Sequence, residues 1–237
     1  LVTGEEVSSE VAAALTPDSP SAPVLTSQPV LEKEISLVIE GAARADTYDA
    51  LLALLEKHQV KALFFIPAQA AINQGDLVKR IQDAGHRLGN YGLDGEIQMD
   101  QLPLPQLAGS IYKAQVILAN LSGHSPEIFR GNRTDYSLQV QQVVAAMGLK
   151  ASLLPSHFVN HSSFRDSSQA ASYVQKTPWG SILSLKLNQA LDASELPAAT
   201  PGAQASPATP ILDPAPTPAL TPPPETMPEG LDNEGRL

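Results

Sequence analysis

ISLVIEGAARADTYDALLALLEKHQVKALFFIP, residues Ile35 to Pro67, reads strand, turn, helix, strand. Ile35–Ile39 is a short apolar run rich in β-branched residues. Asp46 stands where a helix N-cap is expected, and Asp49 follows at the capping-box spacing. Tyr48, Leu51, Leu52 and Leu55 then recur at i, i+3, i+4 and i+7, the stripe of a helix with one buried face. Lys57, His58 and Gln59 make a polar end, where a cation suits the helix dipole. Val60–Ile66 is a second apolar run, stopped by Pro67. Two apolar strands joined by a helix of about three turns form a βαβ unit, whose strands run parallel. Function in such units collects at the C-terminal strand ends, so Glu40 is the first residue to question.

Outward from this stretch, strand and helix patterns alternate. Ala68–Ala84 reads as one helix with Leu77, Ile81 and Ala84 on a face and Gly85 as its stop. His86–Gly89 is a short strand. A helix spans Leu102–Leu121, and Ile128–Phe129 is a brief strand. Val140, Val143, Val144 and Met147 mark a further helix, closed by Gly148. Leu149–Leu154 and Ser181–Leu187 read as strands, and Leu154–Phe164, with Pro155 and several Ser and Asn, as a loop. Repeated β–α alternation predicts an α/β fold with a parallel sheet or barrel.

The flanks differ in composition. Residues 1–30 carry four acids and no base, and read as a flexible arm with about one helical turn near Val7–Leu15. Residues 197–237 hold 11 of the 21 prolines and read as a Pro/Ala-rich linker or tail, joined to any further domain. The predicted domain is therefore 31–195, with 1–30 as arm and 196–237 as tail. That domain has 16 acids against 14 bases, so the flanks supply most of the net charge of −10. No basic patch marks a nucleic-acid partner. With no cysteine, disulfides, thiolate metal sites and a Cys nucleophile are excluded. No apolar run reaches the roughly 18 residues that cross a bilayer. The chain begins at Leu1 rather than Met, which reads as a processed form or a fragment and leaves export open.

The expected strand ends supply Glu40, Tyr91 and Asp94, Arg130 and Lys186. Taken alone, this mixed set also fits a structural ion-pair network. His157 and His161 have the H-x3-H spacing of helical metal ligands, but in a stretch that reads as loop. There is no G-x-S-x-G elbow, no G-x-G-x-x-G and no P-loop.

The order of these segments resembles the polysaccharide deacetylase family, the NodB-homology domain, over about 34–188. The resemblance rests on Tyr48–Ile66, on Ala84–Asn90 (AGHRLGN), on Pro126–Arg130 (PEIFR) and on Gly180–Leu185 (GSILSL), in order and spacing. It implies a distorted (β/α) barrel with its site at the strand C-termini. Because Asn188–Glu195 runs into the Pro-rich tail, the barrel is expected to be incomplete, with one edge open or capped by residues near 24–34.

The same resemblance implies catalytic positions, which this chain fills with other residues. Glu40-Gly41 stands where the family has two aspartates, a base and a metal ligand. Tyr91 and Gly95 stand at the two metal histidines, and Lys186 at the general-acid histidine. Arg130 is kept, but the residues after it depart from the motif. The family's aspartate–tryptophan segment has no counterpart around 154–166. The resemblance thus implies a degenerate member with its zinc or other divalent metal site lost and no cofactor. The leading expectation is a catalytically inactive, extracytoplasmic module of carbohydrate metabolism that binds glycan, peptidoglycan or a partner. Its alternatives are an active hydrolase of carbon–nitrogen bonds, deacetylating a cell-wall or chitin-like amino sugar, and a structural remnant without ligand. Glu40, left without metal, is expected within about 4 Å of Arg130 or Lys186, with Lys186 assuming the electrostatic role of the metal.

Overall fold

The computed structural model describes residues 4–29, 34–160 and 162–187. Its centre is an eight-stranded, mostly parallel sheet. In chain order the strands are β1 (Val24–Leu25), β2 (Ser36–Glu40), β3 (Leu63–Ile66), β4 (Arg87–Asn90), β5 (Ile128–Phe129), β6 (Ala151–Leu153), β7 (His157–Asn160) and β8 (Ile182–Lys186). The helices are α1 (Gly4–Ala14), α2 (Ala45–Lys57), α3 (Ala68–Asn73), α4 (Leu77–Asp83), α5 (Leu104–Ser122), α6 (Leu138–Ala146) and α7 (Ser167–Lys176). The strands lie in the order β1-β6-β5-β4-β3-β2-β8-β7.

That order forces the sheet to curl. β6 and β7 are six strand positions apart, about 29 Å in a flat sheet with strands about 4.8 Å apart. Yet only Leu154–Ser156 joins them, a link that reaches at most about 14 Å. The chain therefore pairs with β5 through β6, turns the corner, and pairs with β8 through β7. Residues 24–28 stitch the seam below this corner. β1 lies parallel to β6, Leu154 N–H donates to Leu25 O (2.9 Å), and Gln28 N–H donates to Gly180 O (2.9 Å). The barrel of the expectation is thus present, and its seam is covered by residues close to those anticipated.

The alternation of strand residues sorts two kinds of core. Val38, Leu63, Phe65, Tyr91, Ile128, Leu153 and Ile182 fill the barrel interior. Ile39, Phe64 and Ile66 point the other way, onto Leu51, Leu55, Leu77, Ile81 and Leu118 of the surrounding helices. Gly89 is required by the first set, since a Cβ there would fall 2.1 Å from Phe65 Cε1.

Several local expectations change. α2 begins after Arg44, with no side-chain cap; Asp46 lies inside its first turn, accepting from Thr47 N–H (2.8 Å), and Asp49 pairs with Arg80. The helix expected over 68–84 is two helices, broken where Gly75 turns left-handed (φ 57°). The stretch expected as loop holds β7, an edge strand with alternating half-buried residues, and α7 follows it. The expected flexible arm is, over its described part, helix α1 lying on α5 and strand β1 in the sheet. Small residues allow the helix contact: a Cβ on Gly109 of α5 would lie 3.4 Å from Ser8 Oγ. The tail expected over 196–237 lies outside the described residues.

Gly89→Ala should lower unfolding stability by about 1–3 kcal/mol, the usual penalty of overpacking a filled interior. Phe65→Leu in the same background should recover part of it. Urea denaturation of the two single variants and the double variant measures the coupling, and a Gly89→Ala protein as stable as the parent would contradict the packing.

Candidate functional site

The C-terminal strand ends meet at one mouth of the barrel. In β2, Val38 and Glu40 face inward while Ile39 faces the helices, so the strand delivers a carboxylate to the top of the interior. Glu40 is 2% exposed. Its Oε1 accepts from Ser184 Oγ at 2.6 Å, and its Oε2 lies 3.4 Å from Arg130 Nε. Arg130, directly after β5, is itself 4% exposed. Its Nη1 donates to Gly131 O and to Tyr136 Oη (3.3 Å), and its guanidinium carbon sits 5.7 Å from the Phe158 ring centroid. Tyr136 in turn donates to Leu153 O (2.8 Å), which ties the arginine to β6.

The Glu40–Arg130 contact is an ion pair by distance but is too poorly aligned for a hydrogen bond. Glu40 Oε2, Arg130 Nε and Tyr91 Oη lack hydrogen-bond partners among the protein atoms. Burial first, and the Glu40 charge second, push the Tyr91 phenol far up from its ordinary pKa, so it stays protonated. Burial opposes the Arg130 cation, but Tyr136 and Glu40 outweigh it and its pKa rises.

Lys186 behaves differently from the expectation. It is the register partner of Glu40 on β8, yet its Nζ donates to Asn132 Oδ1 (2.7 Å). Arg130, not Lys186, therefore neutralises the carboxylate. Burial lowers the Lys186 pKa; Glu40 pulls it back, and Arg133 and Arg130 lower it further. Of the two expected binding residues, Tyr91 is 1% exposed and belongs to the interior, whereas Asp94 is exposed in the loop after β4. Sequence reasoning missed Ser184, Asn132, Tyr136 and Phe158. Only Ser184 carried a signal, as the inward-facing position two residues before Lys186.

The profile of the polysaccharide deacetylase family matches residues 27–152, just over half of the 237-residue chain. The chain belongs to the polysaccharide deacetylase family. A peptidoglycan-N-acetylglucosamine deacetylase of Listeria monocytogenes is 27% identical over 117 residues, 49% of this chain and 24% of that protein. One from Bacillus cereus is 28% identical over 104 residues, 44% of this chain and 38% of that protein. The chain thus spans well under half the length of the curated relatives it matches. Among solved structures, a pseudoenzyme of carbohydrate esterase family 4 from Bacillus anthracis superposes with a TM-score of 0.61 at 16% identity, over 74% of this chain and 61% of that one.

The donor set at this mouth does not suit the divalent metal of the polysaccharide deacetylase family. Gly41 has φ 107°, and a Cβ there would lie 2.6 Å from Leu187 O, so this backbone leaves no room for a ligating side chain. Gly95 offers no side-chain donor and Tyr91 is a protonated phenol. The one carboxylate, Glu40, faces a guanidinium, and a cation added beside Arg130 would meet charge repulsion. Among the described residues no three His, Asp or Glu side chains converge. His157 lies on a strand rather than a helix, and His161 lies outside the described residues. His86 sits at the opposite end of the barrel, just before β4, where its Nδ1 accepts from Ala62 N–H (3.2 Å).

Glu40→Gln should destabilise the fold by roughly 3 kcal/mol, because it strands a buried guanidinium. Replacing the pair together, with Glu40→Leu and Arg130→Met, should restore most of the loss. A Glu40→Gln protein within about 0.5 kcal/mol of the parent in guanidinium denaturation would refute the pairing.

Burial, with Lys61 second, lowers the His86 pKa from 6.5 to about 4. A depressed pKa in the fold means that the unfolded chain binds the extra proton between these values. The His86 contribution is complete above pH 6.5 and is lost as pH falls towards about 4. Thermal scans across this window should show a steeper loss in the parent than in His86→Gln; parallel profiles would count against it.

Proposed function

We propose that this chain is a non-catalytic member of its family, acting outside the cytoplasm as a glycan-binding module of the cell wall. The observation that carries the reading is the buried Glu40–Arg130–Ser184 cluster. A general base must be free to take a proton from water within hydrogen-bond reach. Here the carboxylate is sealed from solvent, neutralised by a guanidinium and hydrogen-bonded by a hydroxyl. Metal-assisted hydrolysis further needs an ion to polarise the acyl oxygen and activate water, which the donor set does not support. Binding needs less. Phe158, 55% exposed above the buried Arg130, offers an aromatic face at the mouth for the apolar side of a sugar ring. The names of the related deacetylases, which act on peptidoglycan N-acetylglucosamine, supply the glycan class.

Acetate release from chitooligosaccharide and from peptidoglycan, with and without added zinc, tests the reading beside co-sedimentation with insoluble peptidoglycan. Sedimentation without acetate release is expected, and Phe158→Ala should weaken it about tenfold, the scale of one lost aromatic contact. Zinc-dependent acetate release would overturn the reading in favour of an active amide hydrolase.

A further inference from the structure

The barrel mouth carries more positive charge than its structure consumes. Arg130 is matched by Glu40, but Lys186 and Arg133 are not matched by anything comparable. Among the described residues neither has a carboxylate within 4.0 Å, and the one polar partner of the Lys186 ammonium is the neutral amide of Asn132. Both cations stand on fixed backbone. Lys186 ends β8, paired on one side with β2 and on the other with β7. Arg133 sits at the tip of the Gly131–Thr134 turn, exposed, with a left-handed backbone (φ 49°) that costs a non-glycine residue free energy.

The turn is held in that shape from several sides. Asn132 Nδ2 donates to Gly95 O (3.0 Å), Gln98 N–H donates to Asn132 O (2.9 Å), and Met99 N–H donates to Thr134 Oγ1 (3.1 Å). A Cβ at Gly131 would lie 2.5 Å from Thr134 Oγ1, so the turn closes tightly on itself. Asn132 thus anchors the turn to the β4 loop through its amide nitrogen and to Lys186 through its amide oxygen. The two cations are close enough that Arg133 lowers the Lys186 pKa. Like charges held together on rigid elements, with the nearby Glu40 already engaged by Arg130 and Ser184, are the arrangement that attracts an anion. Phe158, on β7, lies over Arg130 and stands two residues before Asn160, the register partner of Lys186, and Asn132, which holds the Lys186 ammonium, directly precedes Arg133.

We infer that Lys186 and Arg133 form a carboxylate subsite beside the Phe158 face, and that the preferred ligand is an acidic glycan rather than a neutral one. The inference rests on the glycan-binding reading above and narrows it. A sugar ring on Phe158 would present its carboxylate to the Lys186 ammonium, with the Arg133 guanidinium adding a planar pair of donors from the solvent side.

Matched oligosaccharides test this with the full chain. Hyaluronan oligomers, which alternate uronate with N-acetylglucosamine, are compared by calorimetry with chitooligosaccharides of equal length and with hyaluronan whose carboxyl groups have been reduced to alcohols. Hyaluronan should bind at least about tenfold more tightly than either neutral oligomer. The preference should shrink as sodium chloride rises from about 0.05 to about 0.5 M, since exposed charges are screened over that range. Lys186→Met and Arg133→Asn should each erase most of the preference while leaving neutral binding in place. Arg133→Asn keeps the test valid if Lys186→Met fails to fold, because Asn adopts the left-handed conformation readily. Equal affinity for acidic and neutral oligomers would overturn the carboxylate subsite alone. A lack of binding to any oligomer, and to peptidoglycan, would overturn the glycan reading with it.

Discussion

A carboxylate cannot remain ionised inside a barrel without a partner, and the arrangement of this mouth follows from that constraint. Isolated burial of such a group costs several kcal/mol even after relaxation. The alternation of β2 sends Glu40 inward, and Arg130 enters from β5 to meet it at 3.4 Å. Tyr136 then holds Arg130, and β6 holds Tyr136. Ser184 takes the other carboxylate oxygen from β8. The pair thereby links β2, β5, β6 and β8 across the top of the interior. Its stabilising value is modest next to the cost of breaking it, because desolvation offsets most of the attraction between two buried charges. What it secures is geometry: a neutral, closed floor to the mouth.

That closed floor is what supports the proposal of a non-catalytic domain. A hydrolytic site keeps charge exposed to a reacting molecule, whereas here the carboxylate is buried beside a guanidinium. Phe158 lies above the floor, and Lys186 and Arg133 stand on backbone fixed by β8 and by the Asn132 turn. On the proposed glycan-binding reading, a ligand's polar contacts lie at the rim rather than in the barrel.

Much of the fold was legible in residues 35–67, because β2, α2 and β3 each bury a contiguous apolar stripe that the periodicity displays directly. The strand ends followed, and with them Glu40, Arg130 and Lys186 as neighbours. Three kinds of feature were not legible. α1 has small residues and acids, and its order comes from lying on α5 through contacts such as Ser8 with Gly109, a tertiary effect. β7 is an edge strand whose residues are only half-buried, so its apolar signal is weak, and Pro155 hides that it continues β6 around the corner. The choice between Arg130 and Lys186 as partner of Glu40 depended on Asn132, whose amide engages Lys186 from a turn that sequence alone reads only as a connection.

The central claim is that the Glu40–Arg130 pair stands in place of a metal centre. Zinc titration of the purified, chelator-treated chain measures this most directly, with bound metal counted per chain by mass spectrometry after gel filtration. The account predicts no stoichiometric zinc in the parent, and no change in that result with Glu40→Ala. One zinc per chain, lost on Glu40→Ala, would contradict it.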